Sequence, residues 1–267
     1  MTKGMRIRGL IVTAISLALV IAVFKINTTT GVEKGGSLES FTAHLDKRVP
    51  VLMKAYDIPG VNIALVKGGE TVWLKAYGYA ELETGRKMTT DTHFRVQSIS
   101  KPVTAWGVMK LVEQGKMKLD SPVKQYIKNW SFPQSGYAED KITVRQLLSH
   151  TAGMPLGDIF NLYSPQEEIP SLEESLAREA VLIREPGSSF SYSNTGFNLL
   201  ELLIEEVTGL DFAQYMEQEV LIPLGMYDSG FIWSEELDPP VPYGYDLSGN
   251  PVPMYVYPEK ASGGLIA

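Results

Sequence analysis

Two β-rich runs, Val61 to Lys67 and Thr71 to Gly78, meet through Lys67-Gly68-Gly69-Glu70, and this pair constrains the fold more than any other feature of the chain. Gly68 and Gly69 supply the positive φ that a tight hairpin turn requires. An isolated two-stranded hairpin is marginal in water, so these strands must join a larger sheet. Yet no later segment before Ala267 offers clear partner strands.

The rest of the pattern is mostly helical. Leu38, Phe41, Leu45, Val49 and Leu52 recur at helical spacing, with Pro50 placed to kink or end that helix. Val103, Trp106, Gly107, Met109, Leu111 and Val112 predict a largely buried helix ending near Gly115. Further helices are predicted from Thr143 to Ser149 and from Phe197 to Val207, the latter capped by Asn194 or Thr195 at its start and by Gly209 at its end. Beyond Pro223 the frequent Pro, Gly and Tyr read as loop.

The N-terminus reads as a targeting element. Lys3, Arg6 and Arg8 precede an apolar run from Leu10 to Phe24, closed by Lys25. As a helix the run would be roughly 22 Å long, short of the ~30 Å hydrocarbon core unless the bilayer thins or Lys25 snorkels. No A-x-A-like site follows, so an uncleaved anchor is favoured over a cleaved signal that would release a secreted domain. The basic end stays in the cytoplasm and the domain lies outside, as a single N-terminal pass in the cell membrane. Residues 1–36 are thus anchor or signal plus linker, and residues 37–267 one domain.

Composition removes several chemistries. The chain has no cysteine, which excludes disulfides, thiolate nucleophiles and a lipoprotein anchor. Its three histidines, His44, His93 and His150, lack H-E-x-x-H spacing, which argues against a zinc hydrolase. A net charge of −7 without a basic stripe argues against a nucleic-acid partner. Nothing points to a metal or organic cofactor.

Ser98-Ile99-Ser100-Lys101 is the sharpest chemical feature. Positions three apart share a helix face, so a hydroxyl can lie beside an amine. A serine hydroxyl needs a base to become a nucleophile. A lysine can be that base once burial or nearby positive charge lowers its pKa from about 10.4; Val103 and Trp106 offer an apolar setting. If Ser98 opens the helix, its N–H points where an oxyanion would form. S-x-x-K alone is also a common helix start. The second feature is Tyr192-Ser193-Asn194 after Glu185-Pro186-Gly187. A tyrosine beside such a lysine can relay a proton, and Asn194 can hold a substrate amide; by itself the tripeptide is equally a turn.

Taken together, these segments resemble a known superfamily. Phe94 to Pro102 is similar to the nucleophile segment of the serine β-lactamase and penicillin-binding-protein superfamily, and Gly115 to Val123 to the segment after it. Thr143 to Met154 resembles its L-L-x-H-T-S-G helix and turn, and Tyr192-Ser193-Asn194 its second active-site motif. Ile222 to Met226 and Ala261 to Leu265 also fit, so the resemblance runs in order from about His44 to the last residue. It implies an α+β fold, an antiparallel sheet flanked by helices plus a helical lobe, with the site between them. It further implies Ser98 as acyl-forming nucleophile, Lys101 as its base or the base's partner, Tyr192 as second proton-transfer residue and Asn194 as substrate binder. Which of Lys101 and Tyr192 takes the serine proton stays open. His150 is structural under the same resemblance, no G-x-S-x-G elbow is present, and Asp120 is expected to cap or pair rather than catalyse. Trp73, Trp106, Trp130 and Trp233 are expected in the core or cleft wall.

In that superfamily the Ser-Gly-Gly-Leu turn leads to another helix and the remaining strands, one bearing a K-T-G or H-x-G motif and the second oxyanion N–H. These strands lie beyond Ala267, so the domain is expected to be incomplete at its C-terminal end. Losing one oxyanion donor costs about 2.7–4 kcal/mol of transition-state stabilisation, and unpaired strand edges and exposed apolar helix faces would weaken the fold. The expected function is an acyl-serine hydrolase of β-lactamase, D-alanyl-D-alanine carboxypeptidase or esterase type, acting on a small-molecule, peptide or peptidoglycan-like substrate and impaired by truncation. The alternatives are a catalytically inactive membrane-tethered binding or regulatory protein, or a nonfunctional gene remnant.

Overall fold

The structure, a computed structural model, describes residues 36–267. The apolar run at 10–24 and nearly all of the linker lie outside the described residues, and no described helix is long and apolar enough to cross a membrane. The described residues divide into two compact units, one of residues 36–58 with 64–73, the other of residues 59–63 with 74–267.

The first unit contains helix α1, Leu38–Ala55, started by Ser37, whose side chain accepts the Ser40 N–H at 3.1 Å. The helix runs through Pro50 instead of ending there. Proline forfeits one ladder bond, and the ladder continues beyond it, with Tyr56 N–H reaching Leu52 O at 3.0 Å. The predicted hairpin is present as β1, Gly60–Lys67, and β2, Glu70–Gly78, which form a two-stranded sheet. Gly68 (φ 62°) and Gly69 (φ 86°) make its turn, in the first unit.

The second unit is built around one buried helix. Its helices are α2, Ser100–Glu113; α3, Val144–Leu148; α4, Leu172–Glu179; α5, Asn194–Thr208; and α6, Phe212–Met216. Every residue of α5 from Thr195 to Ile204 is buried, and the helix packs on α2, α3, α4 and α6. A helix apolar on nearly all sides belongs inside a core. Leu199, Leu200, Leu203 and Ile204 fill that core with Leu111, Leu147, Leu176, Phe212 and Met216. The N-cap of α5 is Ser193, one residue before the predicted candidates: its backbone is still extended (φ −142°, ψ 122°) and its Oγ accepts the Gly196 N–H at 2.8 Å, whereas Asn194 and Thr195 are already helical. Gly209 (φ 71°) closes the helix as expected.

Helix α2 departs from its predicted burial. It buries Ser100, Lys101, Thr104, Gly107, Val108 and Leu111, while Trp106 (58% exposed) and Met109 (43%) face outward. Trp106 therefore belongs neither to the core nor to the surroundings of Lys101.

The tail is mostly loop, with β3, Gly244–Tyr245, paired antiparallel to β4, Pro251–Val252. One pairing was not predicted. Phe94 and Ala267 exchange backbone bonds at 2.7 and 3.0 Å, and Val96 N–H reaches Leu265 O at 3.1 Å. On its other side the same segment pairs with Gly230, through bonds of 2.9 and 2.8 Å with Ile266. The architecture is mixed α+β, with helices dominant and small antiparallel ladders.

Candidate active site

Ser98 sits in a 3₁₀ turn, Gln97–Ile99, that runs directly into α2. The residue before it, Gln97, holds φ at 51°, in the left-handed region that side chains other than glycine seldom adopt. Its amide is fixed on both sides: Nε2 donates to Tyr255 Oη and Oε1 accepts from Tyr257 Oη, each at 3.2 Å. Strain of this kind persists where surroundings impose it, and it places Ser98 on an exposed corner.

One helical turn on, Lys101 is 4% exposed. Its Nζ donates to Ser98 Oγ at 3.2 Å and to the Ser262 carbonyl at 2.7 Å. The aromatic surroundings come from α5 and the turn before it. Nζ lies 5.0 Å from the ring centroid of Tyr192 and 5.8 Å from that of Phe197. Burial pulls the Lys101 amine below the ordinary lysine value, and the neighbouring Tyr192 hydroxyl opposes that shift. The apolar setting expected of Trp106 is thus supplied by Tyr192 and Phe197.

Tyr192 is placed by its own neighbours. Capped helix α3, with Thr143 and Gln146 forming a reciprocal capping box, leads into the turn at His150 to Gly153. That turn holds the segment carrying Tyr192: Gly187 N–H bonds Thr151 O at 2.8 Å, Ser191 N–H bonds His150 O at 2.8 Å, and Ser193 N–H bonds His150 Nδ1 at 3.1 Å. The His150 ring lies under Tyr192, with centroids 4.5 Å apart and planes at 34°. Burial and the nearby Lys101 charge push His150 below its ordinary pKa of 6.5, and an Nδ1 that accepts a hydrogen bond is unprotonated. His150 therefore acts here as a neutral shelf beneath Tyr192.

Asn194 is the first residue of α5, and its N–H donates to Leu156 O at 3.0 Å. Its Oδ1 is buried without a hydrogen-bond partner among the described residues, and none of its described hydrogen bonds reaches Ser98, Lys101 or Tyr192. The structure thus gathers Ser98, Lys101 and Tyr192 around one amine and leaves Asn194 beside them at the helix start. Asp120 forms a fork with Arg145, at 2.6 and 2.8 Å, on the surface.

Sequence reasoning read His150 as structural without its place beneath Tyr192, and it missed two features far from Ser98 in the chain: the Ser262 carbonyl that accepts from Lys101, and the buried carboxylate of Glu201 that accepts from the Lys260 and Ala261 N–H groups. Glu201 carried one signal: an acidic residue in the middle of an apolar helix has to find a partner.

Residues 45–267 match the protein-family model described as beta-lactamase. The chain is 31% identical over 227 residues to the esterase EstB of Burkholderia gladioli, an alignment covering 80% of this chain and 57% of the esterase. Among solved structures it is similar to the octameric penicillin-binding protein homologue from Pyrococcus abyssi, with a TM-score of 0.69 and 32% identity, covering 85% of this chain and 53% of that one. It is similar as well to EstCE1, a hydrolase with promiscuous acyltransferase activity, with a TM-score of 0.69 and 25% identity, covering 84% of this chain and 69% of that one. The chain thus spans little more than half the length of the first two relatives.

Proposed function

This chain belongs to the beta-lactamase family, and from that premise we propose that it is a serine hydrolase working through an acyl-enzyme on Ser98. The observation that carries the reading is the Lys101 amine: buried, shifted toward its neutral form, and 3.2 Å from an exposed serine hydroxyl. Ser98 Oγ bonds to the acyl carbon of the substrate, and its proton passes to the Lys101–Tyr192 pair. That pair returns the proton to the departing amine or alkoxide. Water then attacks the acyl-serine, and the acid leaves with Ser98 restored. The buried, unpartnered Oδ1 of Asn194 supports its assignment to a substrate N–H, reached by a turn of the side chain toward the cleft.

The esterase and hydrolase relatives support carboxylic esters and the penicillin-binding homologue β-lactams as substrate classes, and the motif resemblance adds D-alanyl peptides. The basic head and apolar run at 10–24 support a domain held outside the cell membrane; protection of the domain from protease added to intact cells would rule that placement out. The catalytic test incubates the full chain with a fluorescent penicillin and with a p-nitrophenyl phosphonate ester, then locates the adduct by peptide mass spectrometry. An adduct on Ser98, absent in Ser98→Ala, is the expected result. A well-folded wild-type chain that takes neither probe would leave a binding protein as the better reading.

A further inference from the structure

The segment from Lys260 to Leu265 is held at both ends of its contact with the site. On α2 it meets three residues of one face: Thr104 Oγ donates to Ala261 O at 2.9 Å, Lys101 Nζ to Ser262 O at 2.7 Å, and Leu265 N–H to Ser100 Oγ at 3.0 Å. On α5 it meets a single side chain. Glu201, with no solvent exposure, accepts the backbone N–H groups of Lys260 and Ala261 on one oxygen, each at 2.7 Å. The Lys260 ammonium stands 3.6 Å from its other oxygen and 3.8 Å from the Asp211 carboxylate.

We propose that Glu201 is a positioning residue for catalysis: its carboxylate fixes the peptide at 260–261, so that the next carbonyl, Ser262 O, holds the Lys101 amine against Ser98.

The argument is geometric. A lysine side chain has four rotatable bonds and little directional preference of its own. An amine that serves as base must aim its lone pair at the serine proton, which requires its N–H groups to be bonded elsewhere. Ser262 O is the stronger of the two partners of Nζ by distance, and it can aim the amine only if it does not move itself. Gly264 tightens the turn behind it, where its N–H reaches Lys260 O at 2.7 Å and an added Cβ would fall 2.9 Å from Lys260 Cα. Two charge-assisted bonds from a helix interior are a firm anchor for such a turn, each roughly twice as strong as its neutral equivalent. A buried carboxylate is otherwise an expensive occupant of a leucine-rich helix.

This inference rests on Ser98 being the nucleophile, and the experiment separates the two claims. Adduct formation on Ser98 by the two probes named above is followed at pH 8 against probe concentration, in the full chain, for wild type, Glu201→Gln and Thr104→Val. The glutamine keeps one acceptor oxygen but loses the charge assistance, so the limiting rate is expected to fall about tenfold with the half-saturating concentration unchanged. Thr104→Val, which removes the other bond to this peptide without touching Glu201, is expected to lower the same rate by a smaller factor of about three. Hydrogen exchange should show faster opening of 260–265 in both variants, with the α5 core still protected. No adduct in wild type would sink the nucleophile assignment and this proposal together. Wild type that reacts while both variants react at the same limiting rate would overturn the positioning role alone.

Discussion

Replacing His150 by alanine tests how the site holds Tyr192. The ring makes two separable contributions. Its Nδ1 takes the N–H of Ser193, a residue only 2% exposed, so removing the ring takes away the acceptor of a donor that is shielded from solvent. A buried donor left unpaired costs about 1–3 kcal/mol. The ring also stacks against Tyr192 at 4.5 Å and Phe197 at 5.2 Å, and aromatic pairs of this kind contribute about 0.5–1.5 kcal/mol beyond burial. His150→Ala should therefore lose about 2–4 kcal/mol in urea unfolding, whereas His150→Phe, which keeps a ring and removes the acceptor, should lose only the hydrogen-bond part, about 1–3 kcal/mol. Both should slow adduct formation on Ser98, the alanine variant more, because Tyr192 loses its support. The pH dependence follows from the same geometry. His150 is held below 6.5, so the unfolded chain binds its proton first as pH falls. Its contribution is present above about pH 6.5 and is lost as pH falls through the lowered folded value. A loss under about 0.5 kcal/mol in the alanine variant, or a histidine that titrates above 6.5 by NMR, would refute this account of the ring.

Two further outcomes follow from buried groups elsewhere. Gly153→Ala places a Cβ 2.3 Å from the backbone oxygen of Arg184 at a φ of 79°, so it should cost about 2–4 kcal/mol by chemical denaturation. Gly85→Ala has the same left-handed backbone but open space around its Cβ, and should cost only about 1 kcal/mol; equal losses at the two sites would show that the clash is relieved. Burial raises the folded pKa of Glu201 from 4.5 to about 7, so its stabilising contribution is complete below about pH 4.5 and lost as pH rises through about 7. At ~1.4 kcal/mol per pH unit that span amounts to about 3 kcal/mol. Glu179, Glu205 and Glu259 are raised in the same direction, so Glu201→Gln should flatten, without abolishing, the fall in unfolding free energy between pH 5 and pH 8; an unchanged slope would refute the buried charge.

What was legible in the chain was what local geometry decides. The hairpin turn at Gly68-Gly69, the short helix beginning at Thr143, the stop at Gly209 and the juxtaposition of Ser98 with Lys101 each depend on residues within a few positions of one another. What was not legible depends on segments brought together from far apart. Lys101 and the carbonyl it grips are 161 residues apart, and the ladder that joins Phe94 to Ala267 involves residues with no strand pattern of their own.

Helix α2 shows why the surroundings of Lys101 were harder to read than Lys101 itself. Val103, Ala105, Trp106, Val108, Met109, Leu111 and Val112 place apolar side chains on every side, so hydrophobic periodicity could not decide which face turns inward. The polar residues decided it. Ser100, Lys101 and Thr104 are each buried with a hydrogen-bond partner in the segment 261–265, while Trp106 and Met109 are left exposed. Outward, those three groups would be solvated at no cost, and the tryptophan and methionine would gain from burial. The inward rotation is favourable because the 260–265 peptide gives each of the three groups a partner and because the same face buries Val108 and Leu111 in the core. Loosening that peptide should therefore disturb Ser98 and Lys101 together, while a change at Trp106 of similar size should leave both in place.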